Sequence, residues 1–268
     1  MFYMLKAIIL GIVQGLTEFL PISSSGHLVL SKYFLKFGEQ NDISFEIFVH
    51  LGSLLAVLIF FRKDILKLLK SIIYFKQEEY RGDRKVCLWL LVATIVTGVL
   101  GIAFKDVFES LFSTPIFAAL MISITGLIVF YSDKIKTIDL NTKDLTLAKS
   151  CFIGIGQALA ITPGISRSGS TITASLFAGL SRKHAATFSF LLSVPAIIGA
   201  NITEIKTFMS LDVTQLNAYL LGFAAAFISG FLVIGWLMKL IMKAKLHYFS
   251  YYCWIISLLS VVLILIGL

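Results

Sequence analysis

An acidic group, three serine hydroxyls and an imidazole follow an apolar run in the segment Gln14-Gly15-Leu16-Thr17-Glu18-Phe19-Leu20-Pro21-Ile22-Ser23-Ser24-Ser25-Gly26-His27. Gln14 and Glu18 are four residues apart, so they share one face of a helix. Pro21 ends that helix, and the serines that follow can cap a second helix and leave its first backbone N–H groups free. Such groups are costly to bury in an apolar region and indicate function there. The segment therefore predicts two short helices joined by a chemically active turn.

The chain around this segment has the composition of a membrane protein. Hydrophobic residues make up 58% of its 268 residues and charged residues 14%, about half the charged share of a soluble domain. Five stretches lack Asp, Glu, Lys and Arg and are close to or above the roughly 18 residues that mark a spanning helix. These stretches are 86–104, 111–132, 185–203, 213–238 and 248–268. Period-2 alternation is absent, which argues against a barrel and predicts an all-α, polytopic membrane protein.

An internal repeat divides the chain into two halves. At a common offset of 143 residues, Gly11 and Gln14 correspond to Gly154 and Gln157, and Ser25-Gly26 corresponds to Ser168-Gly169. We predict two inverted repeats, 1–135 and 144–268, that form one integrated membrane domain, each with a re-entrant helical hairpin and three transmembrane helices. The hairpin arms are predicted at 3–20 with 24–36 and at 147–162 with 168–179, and the six spans at 44–62, 86–104, 112–132, 185–203, 214–238 and 248–267.

Basic residues predict the orientation. Eight Lys or Arg lie in 62–85 and four in 134–149, as expected of cytoplasmic loops. The net charge of +8 is therefore assigned to the membrane boundary and not to nucleic-acid binding. With these loops inside, the first hairpin enters from the outer face and the second from the cytoplasm. Three spans per half invert one half relative to the other, and such repeats with broken helices commonly place a site near the midplane.

The second predicted turn is a candidate anion site. It reads Thr162-Pro163-Gly164-Ile165-Ser166-Arg167-Ser168-Gly169-Ser170-Thr171, and Arg167 is the one Lys or Arg between 151 and 181. A helix N terminus with hydroxyl groups binds anions, and a guanidinium fork matches phosphate. Glu46 and His50 add a carboxylate and an imidazole four residues apart. Glu and His fit acid–base work or, for carboxylates, metal binding, so these residues predict phosphoryl chemistry on a lipid.

Both turn segments resemble signatures of the bacterial undecaprenyl-diphosphatase family of the bacitracin-resistance type. Gln14 to His27 resembles [E/Q]-x-x-x-E followed by P-x-S-S-[S/T]-G-H, and Pro163 to Thr171 resembles P-G-x-S-R-S-x-x-T. The resemblance implies a multi-pass enzyme of the bacterial plasma membrane whose active site opens to the outer face. That enzyme hydrolyses undecaprenyl diphosphate to undecaprenyl phosphate and phosphate, which recycles the carrier for peptidoglycan synthesis and confers bacitracin resistance. Mg²⁺ or Ca²⁺ is the implied cofactor, and undecaprenyl diphosphate and membrane lipid are the implied partners; a homodimer is left open.

The resemblance also assigns roles to residues of this chain. The implied catalytic residues are Glu18, Ser24, His27 and Arg167; the implied phosphate-binding residues are Ser23, Ser25, Gly26, Ser166, Ser168, Gly169 and Thr171; the implied supporting residues are Gln14, Glu46 and His50. Glu18 with Gln14 is the implied metal pair, and the neutral Gln14 would hold a cation less tightly than an acidic residue. Ser24 is the nucleophile or positions a water, and His27 is a proton shuttle or activates Ser24; both alternatives stay open.

Three other functions compete with this one. A polyprenyl-phosphate transporter or flippase would use the same inverted repeat, with Arg167 passing the phosphate group. The other superfamily of membrane phosphatases shares Ser25-Gly26-His27 with this chain, but its further motifs are missing. An intramembrane serine protease would use a Ser–His pair but has no evident need for an arginine in an anion site.

Overall fold

The computed structural model describes residues 2–38, 44–112, 114–136, 138–243 and 245–267. Residues 1, 39–43, 113, 244 and 268 belong to the two predicted repeats but lie outside the described ranges. Within those ranges the α-helices are α1 Phe2–Phe19, α2 Ser24–Leu35, α3 Ser44–Phe60, α4 Arg62–Ile73, α5 Arg81–Ala103, α6 Lys105–Phe112, α7 Pro115–Ser132, α8 Leu147–Leu159, α9 Arg167–Phe177, α10 Arg182–Thr203, α11 Ile205–Met209, α12 Val213–Met242 and α13 His247–Leu265. The prediction of an all-α membrane protein is confirmed.

Among the described residues, six helices are long and apolar enough to cross a membrane: α1, α5, α7, α10, α12 and α13. This set shares five members with the six predicted spans and contains α1 in place of the span predicted at 44–62. The predicted hairpin arm α1 reaches 18 residues and qualifies by length and composition, whereas α3 qualifies only together with α4, from which it is bent by 79°. The number of candidate spans therefore agrees with the prediction, but one of the six predicted spans, 44–62, does not qualify by itself.

The basic segment 62–85, predicted to be a cytoplasmic connection between spans, is largely helical. It contains α4 and the start of α5, because apolar residues recur at helical spacing between the lysines of α4. The span predicted at 112–132 begins later, at Pro115, since proline is favoured at the first position of a helix. The span predicted at 214–238 is extended to Met242. Lys239 ends the uncharged stretch of α12 and so concealed the last turn of this helix from a hydropathy criterion.

The first arm of each predicted hairpin packs closely on a long helix of the other half. Helix α1 lies along α12, and α8 lies along α5. A Cβ atom at Gly11 would overlap the carbonyl of Gly222, and one at Gly154 would lie 2.7 Å from the carbonyl oxygen of Ala93. Small residues let helix backbones approach in membranes. These two glycines therefore set how far α1 and α8 enter the bundle, and with them the positions of the turns that follow.

The turns after α1 and α8 meet inside the bundle. The backbone N–H of Gly164 donates to Ser25 Oγ at 3.4 Å, and Ser168 Oγ donates to the carbonyl of Leu20 at 3.0 Å. Thr125 of α7 joins the second turn, because its Oγ1 donates to the carbonyl of Gly164 and accepts from the N–H of Ser166, both at 2.8 Å. Residues that lie more than a hundred positions apart in sequence thus share one polar region.

Candidate active site

Each turn ends in a serine that caps the next helix. Ser23 Oγ accepts from the N–H of Gly26 at 3.2 Å, and Ser166 Oγ accepts from the N–H of Gly169 at 3.0 Å. Ser23 has φ 73°, a strained backbone conformation for a residue with a side chain, and such strain is concentrated at functional sites. Both serines are buried. Their hydroxyl groups therefore shape the turns and aim the first N–H groups of α2 and α9 into the polar region.

The carboxylate of Glu18 is the centre of this region. Its Oε2 accepts from Ser24 Oγ at 2.5 Å and from Gln14 Nε2 at 3.0 Å, and the guanidinium Nη2 of Arg167 lies 2.5 Å from its Oε1. The exposed fraction of Glu18 is 5%. A buried carboxylate is tolerated only when it is paired and hydrogen-bonded, and here donors from α1, α2 and α9 converge on it. The two turns are joined at the one group best suited to accept a proton from a hydroxyl.

The guanidinium of Arg167 is held by two hydrogen bonds, and its remaining N–H groups stay available to a ligand. Besides Glu18, its Nη1 donates to the carbonyl of Ser189 on α10 at 3.3 Å. Thr171 Oγ1 bonds the carbonyl of Arg167 at 2.7 Å and the hydroxyl of Ser189 at 2.5 Å, so α9 and α10 are fastened at this level. The guanidinium carries further N–H groups in a planar fork that matches phosphate oxygens.

His50 reaches the same carboxylate from α3. Its Nε2 lies 3.3 Å from Oε2 of Glu18, and its Nδ1 contacts the carbonyl of Glu46. A carbonyl only accepts, so Nδ1 carries a hydrogen. Nε2 can then donate to Glu18 only in the imidazolium form, which has a hydrogen on both nitrogens. His50, treated in the sequence as a supporting residue, is therefore placed in direct contact with the central acid.

His27 has different neighbours. Its Nδ1 contacts the carbonyl of Ser23 at 2.7 Å, and its Nε2 lies 3.0 Å from the hydroxyl of Tyr252 on α13. Nδ1 therefore carries the hydrogen, and in the neutral ring Nε2 accepts from the tyrosine hydroxyl. The ring is anchored to the strained cap residue and to α13, while Ser24 is bonded to Glu18. This geometry favours Glu18 over His27 as the group that activates Ser24.

Glu46 forms a second buried ion pair beside the site. One of its oxygens lies 2.8 Å from Nζ of Lys32, a residue of α2, and both side chains are nearly inaccessible. The pair joins α2 to α3, and the carbonyl of Glu46 orients His50. Glu46 is thus connected to the first turn by Lys32 and to Glu18 by His50.

Accessibility separates the residues that a substrate can reach from those that support them. Ser24, Ser25, His50 and Arg167 are half-buried. The other members of the predicted site are buried: Gln14, Glu18, Ser23, Gly26, His27, Glu46, Ser166, Ser168, Gly169 and Thr171. The accessible set combines two hydroxyls with two groups that can be cationic, as expected of a surface that receives an anion.

A divalent cation fits the oxygen atoms available here only with help from the substrate. In the part of the chain that the structure describes, no group of three or more His, Cys, Asp or Glu is placed to hold a metal ion. The buried Oε1 of Gln14 has no hydrogen-bond partner there, and it lies on the residue that donates to Glu18. Carboxylate and amide oxygens suit Mg²⁺ and Ca²⁺, and Mg²⁺ is often held by one or two such ligands plus substrate phosphates. Glu18 and Gln14 would therefore hold the expected cation only together with oxygen atoms of the substrate.

Sequence reasoning missed several residues of this region. Lys32 was a cation in a short apolar helix and could have been noticed on that ground. Tyr252 and Thr125 gave no signal, because aromatic and hydroxyl residues are common in spanning helices. Ser53, whose Oγ accepts from Gln14 Nε2 at 3.2 Å, and Ser189 were equally inconspicuous. Lys32 lies on α2, which follows the first turn directly, whereas the other four residues reach the site from α3, α7, α10 and α13.

The chain is similar to known proteins over nearly its whole length. The family model described as "Bacitracin resistance protein BacA" matches residues 7–259. The chain is 43% identical over 266 residues to a protein of Methanobrevibacter smithii named undecaprenyl-diphosphatase, with 95% of each chain covered. It is 42% identical to proteins of the same name from Methanosphaera stadtmanae, with 97% of each chain covered, and Halothermothrix orenii, with 96% of this chain and 97% of that protein covered.

Proposed function

The chain belongs to the bacitracin resistance protein BacA family, and we infer that it is an undecaprenyl-diphosphatase, a membrane phosphatase that releases phosphate from undecaprenyl diphosphate. The observation that carries this inference is Glu18, which accepts from Ser24 of the first turn and pairs with Arg167 of the second. A base, a hydroxyl and a phosphate-binding cation meet in one place. A transporter needs the cation but has no use for a hydroxyl bonded to a base.

In the reaction we propose, the substrate displaces none of the buried groups. The terminal phosphate binds to free N–H groups of Arg167 and to the first N–H groups of α9. Ser24 Oγ attacks the terminal phosphorus, and Glu18 takes the hydroxyl proton along the 2.5 Å hydrogen bond. The bond between that phosphorus and the bridging oxygen breaks, and undecaprenyl phosphate leaves. Water then attacks the phosphoserine, restores Ser24 and releases inorganic phosphate.

Charge stabilisation in this scheme comes from fixed groups. Arg167 is held by Glu18 and Ser189 before the substrate arrives, so it requires little reorganisation when charge develops on the transferred phosphate. His50 in its imidazolium form lies next to the base and is accessible enough to protonate the leaving oxygen. His27 supports the turn that carries Ser24 through its bond to the Ser23 carbonyl.

We also propose a cation requirement. Glu18 and the amide oxygen of Gln14 would hold Mg²⁺ or Ca²⁺ together with oxygens of the diphosphate. When bound, the cation would neutralise phosphate charge and favour departure of the lipid phosphate. Because Gln14 is neutral, the affinity for the cation would depend more on bound substrate than it would with an acidic residue at this position.

The inverted repeat and the re-entrant hairpins are the architecture that we propose for this site. Equivalent elements make equivalent contacts: α1 lies along α12 as α8 lies along α5, and equivalent serines, Ser23 and Ser166, cap α2 and α9. Ser24 and Arg167 occupy equivalent positions and both bond Glu18. A site on the outer face follows if segment 62–85 is cytoplasmic.

Orientation is tested by cysteine labelling in a background without Cys87, Cys151 and Cys253. Ser210→Cys, after α11, should react with a membrane-impermeant maleimide added outside intact cells, and Lys76→Cys should react only after the membrane is opened. Both positions are exposed. The reverse pattern would place the site at the cytoplasmic face.

Activity is tested with the purified full-length protein. It should release phosphate from undecaprenyl diphosphate in detergent with Mg²⁺ or Ca²⁺ and lose this activity in EDTA. The same protein in liposomes should change the substrate chemically and not merely move it between leaflets. Transfer of intact lipid without phosphate release by folded protein would favour the transporter instead.

A further inference from the structure

Helix α4 has the pattern of a helix that lies at a membrane surface. Its six large apolar side chains occupy one side and its lysines the other; the apolar set is Ile65, Leu66, Leu68, Leu69, Ile72 and Ile73, and the lysines are Lys63, Lys67 and Lys70. At least half of the surface of four of these apolar residues is exposed, namely Leu66, Leu69, Ile72 and Ile73. The helix turns away from α3 by 79°. An apolar face of this kind is buried at the boundary between lipid headgroups and acyl chains.

A groove of about 540 Å³ lies between α4, α5 and α10. Apart from Arg84 and Thr94 its lining is apolar or sulfur-bearing, with Leu69 from α4, Leu91 from α5 and Val194 from α10 among its walls. The lining residues of α5 extend from Arg84 to Thr94, about 15 Å at the rise of an α-helix. That length is about half of the ~30 Å hydrocarbon core. The groove therefore has the depth of one leaflet.

The charged end of the groove is basic. Arg84 lines it, with its guanidinium 5.1 Å from the ring centre of Phe75 and Nη1 bonded to the carbonyl of Gln77 at 2.8 Å. Segment 62–85 contains eight Lys or Arg and four Asp or Glu. Two of these acids are already paired, since Asp83 lies 3.4 Å from Lys67 and Glu78 lies 3.7 Å from Arg81. The surface around the groove mouth thus carries an excess of positive charge.

We propose that this groove binds one anionic phospholipid of the leaflet next to segment 62–85, with an acyl chain along α5 and its phosphate at Arg84. The length of the groove matches an acyl chain confined to one leaflet, and the positive charge at its mouth favours an anionic headgroup. The groove is separate from the Ser24, Glu18 and Arg167 centre, so the proposal does not depend on the reaction. Its floor includes Leu191, two residues beyond the Ser189 that holds Arg167, so a bound lipid would brace this part of α10.

The test is native mass spectrometry of the purified full-length protein with dioleoylphosphatidylglycerol or dioleoylphosphatidylcholine at equal concentration. Wild type should retain the anionic lipid preferentially. Arg84→Gln should retain it about fivefold less, the factor that one cation contributes near an anionic lipid. Leu91→Trp, which fills the groove, should lower retention of both lipids. Lys243→Gln removes an exposed cation at the end of α12 and is the matched control, expected to behave as wild type.

Three results would overturn the proposal. The first is equal retention of both lipids by wild type, and the second is equal effects of Arg84→Gln and Lys243→Gln. The third is seen in a parallel measurement with undecaprenyl phosphate: if Leu91→Trp lowers retention of that lipid and leaves retention of phosphatidylglycerol unchanged, the groove is assigned to the substrate tail. Helical circular dichroism of each variant separates these results from misfolding, and Arg84→Gln, at the groove mouth, keeps the test decisive if Leu91→Trp does not fold.

Discussion

Removal of the Ser24 hydroxyl separates catalysis from structural support at this site. Ser24→Ala deletes the atom that donates to Glu18 Oε2 at 2.5 Å. Glu18 keeps its contacts with Gln14, His50 and Arg167, so the buried carboxylate remains paired. The variant should therefore fold while losing the group that we propose attacks phosphorus.

The two effects differ in size. A hydrogen bond to a charged group contributes about 1.5–3 kcal/mol, and the three remaining partners of Glu18 place the stability loss near the lower end, at about 1.5 kcal/mol. Loss of the nucleophile and its base-assisted proton transfer should lower kcat by about 10³-fold or more, which corresponds to about 4 kcal/mol. The activation barrier should thus rise by more than twice the loss of stability.

Ser25→Ala is the matched control. Ser25 is also a half-buried serine of the first turn, but its Oγ contacts Ser23 Oγ and the N–H of Gly164 instead of Glu18. Phosphate release from undecaprenyl diphosphate and the midpoint of thermal unfolding would be measured for both variants. If Ser24→Ala keeps more than about a tenth of wild-type kcat, or if Ser25→Ala is as severe, the assignment of the nucleophile is refuted and attack by water is favoured.

Three further outcomes are expected. Gly11→Ala brings a Cβ atom against the carbonyl of Gly222 and should destabilise the protein by about 2 kcal/mol. Gly98→Ala has open space around it and should stabilise the protein by up to about 1 kcal/mol. A similar midpoint of thermal unfolding for both variants would contradict the close approach of α1 and α12. Tyr252→Phe should lower kcat about tenfold with near wild-type stability, and unchanged kcat would remove the tyrosine from the site. Gln14→Glu should lower the Mg²⁺ concentration for half-maximal phosphate release about tenfold, because a carboxylate replaces an amide ligand; an unchanged Mg²⁺ titration would argue against a metal ligand at this position.

The sequence was informative about the site wherever function required polar groups in an apolar chain. Glu18, Ser24 and Arg167 were conspicuous for that reason, and the structure brings all three together. The cap serines were equally visible: the serines of the first turn were predicted to cap a helix, and Ser23 and Ser166 were also assigned to phosphate binding. In the structure Ser23 and Ser166 are buried, so they cap helices, whereas Ser24 and Ser25 remain accessible to a substrate. A sequence motif does not separate capping from substrate binding, because both roles are filled by neighbouring serines.

Partners from distant helices could not be anticipated in the same way. Nothing in the apolar stretch around Tyr252 distinguishes it from the other aromatic residues of α13, yet its hydroxyl meets His27. His50 was visible as a neighbour of Glu46 by helical spacing. That its imidazole reaches Glu18 while Glu46 turns to Lys32 depends on the rotation of α3 against α1 and α2. Helix spacing defines a face, but only packing defines what that face contacts.

By itself, the sequence determined the membrane class, the helical architecture and the two polar turns, because these follow from local properties: uncharged length, turn chemistry and the cost of burying polar groups. Only the tertiary structure decided that α4 is a helix bent away from α3, that Glu18 rather than His27 accepts from Ser24, and which serines remain accessible. The positions of the two turns depend on how closely α1 and α8 approach α12 and α5, and therefore on glycine contacts between residues far apart in the chain. Long-range packing of this kind leaves no periodic signal in a single sequence.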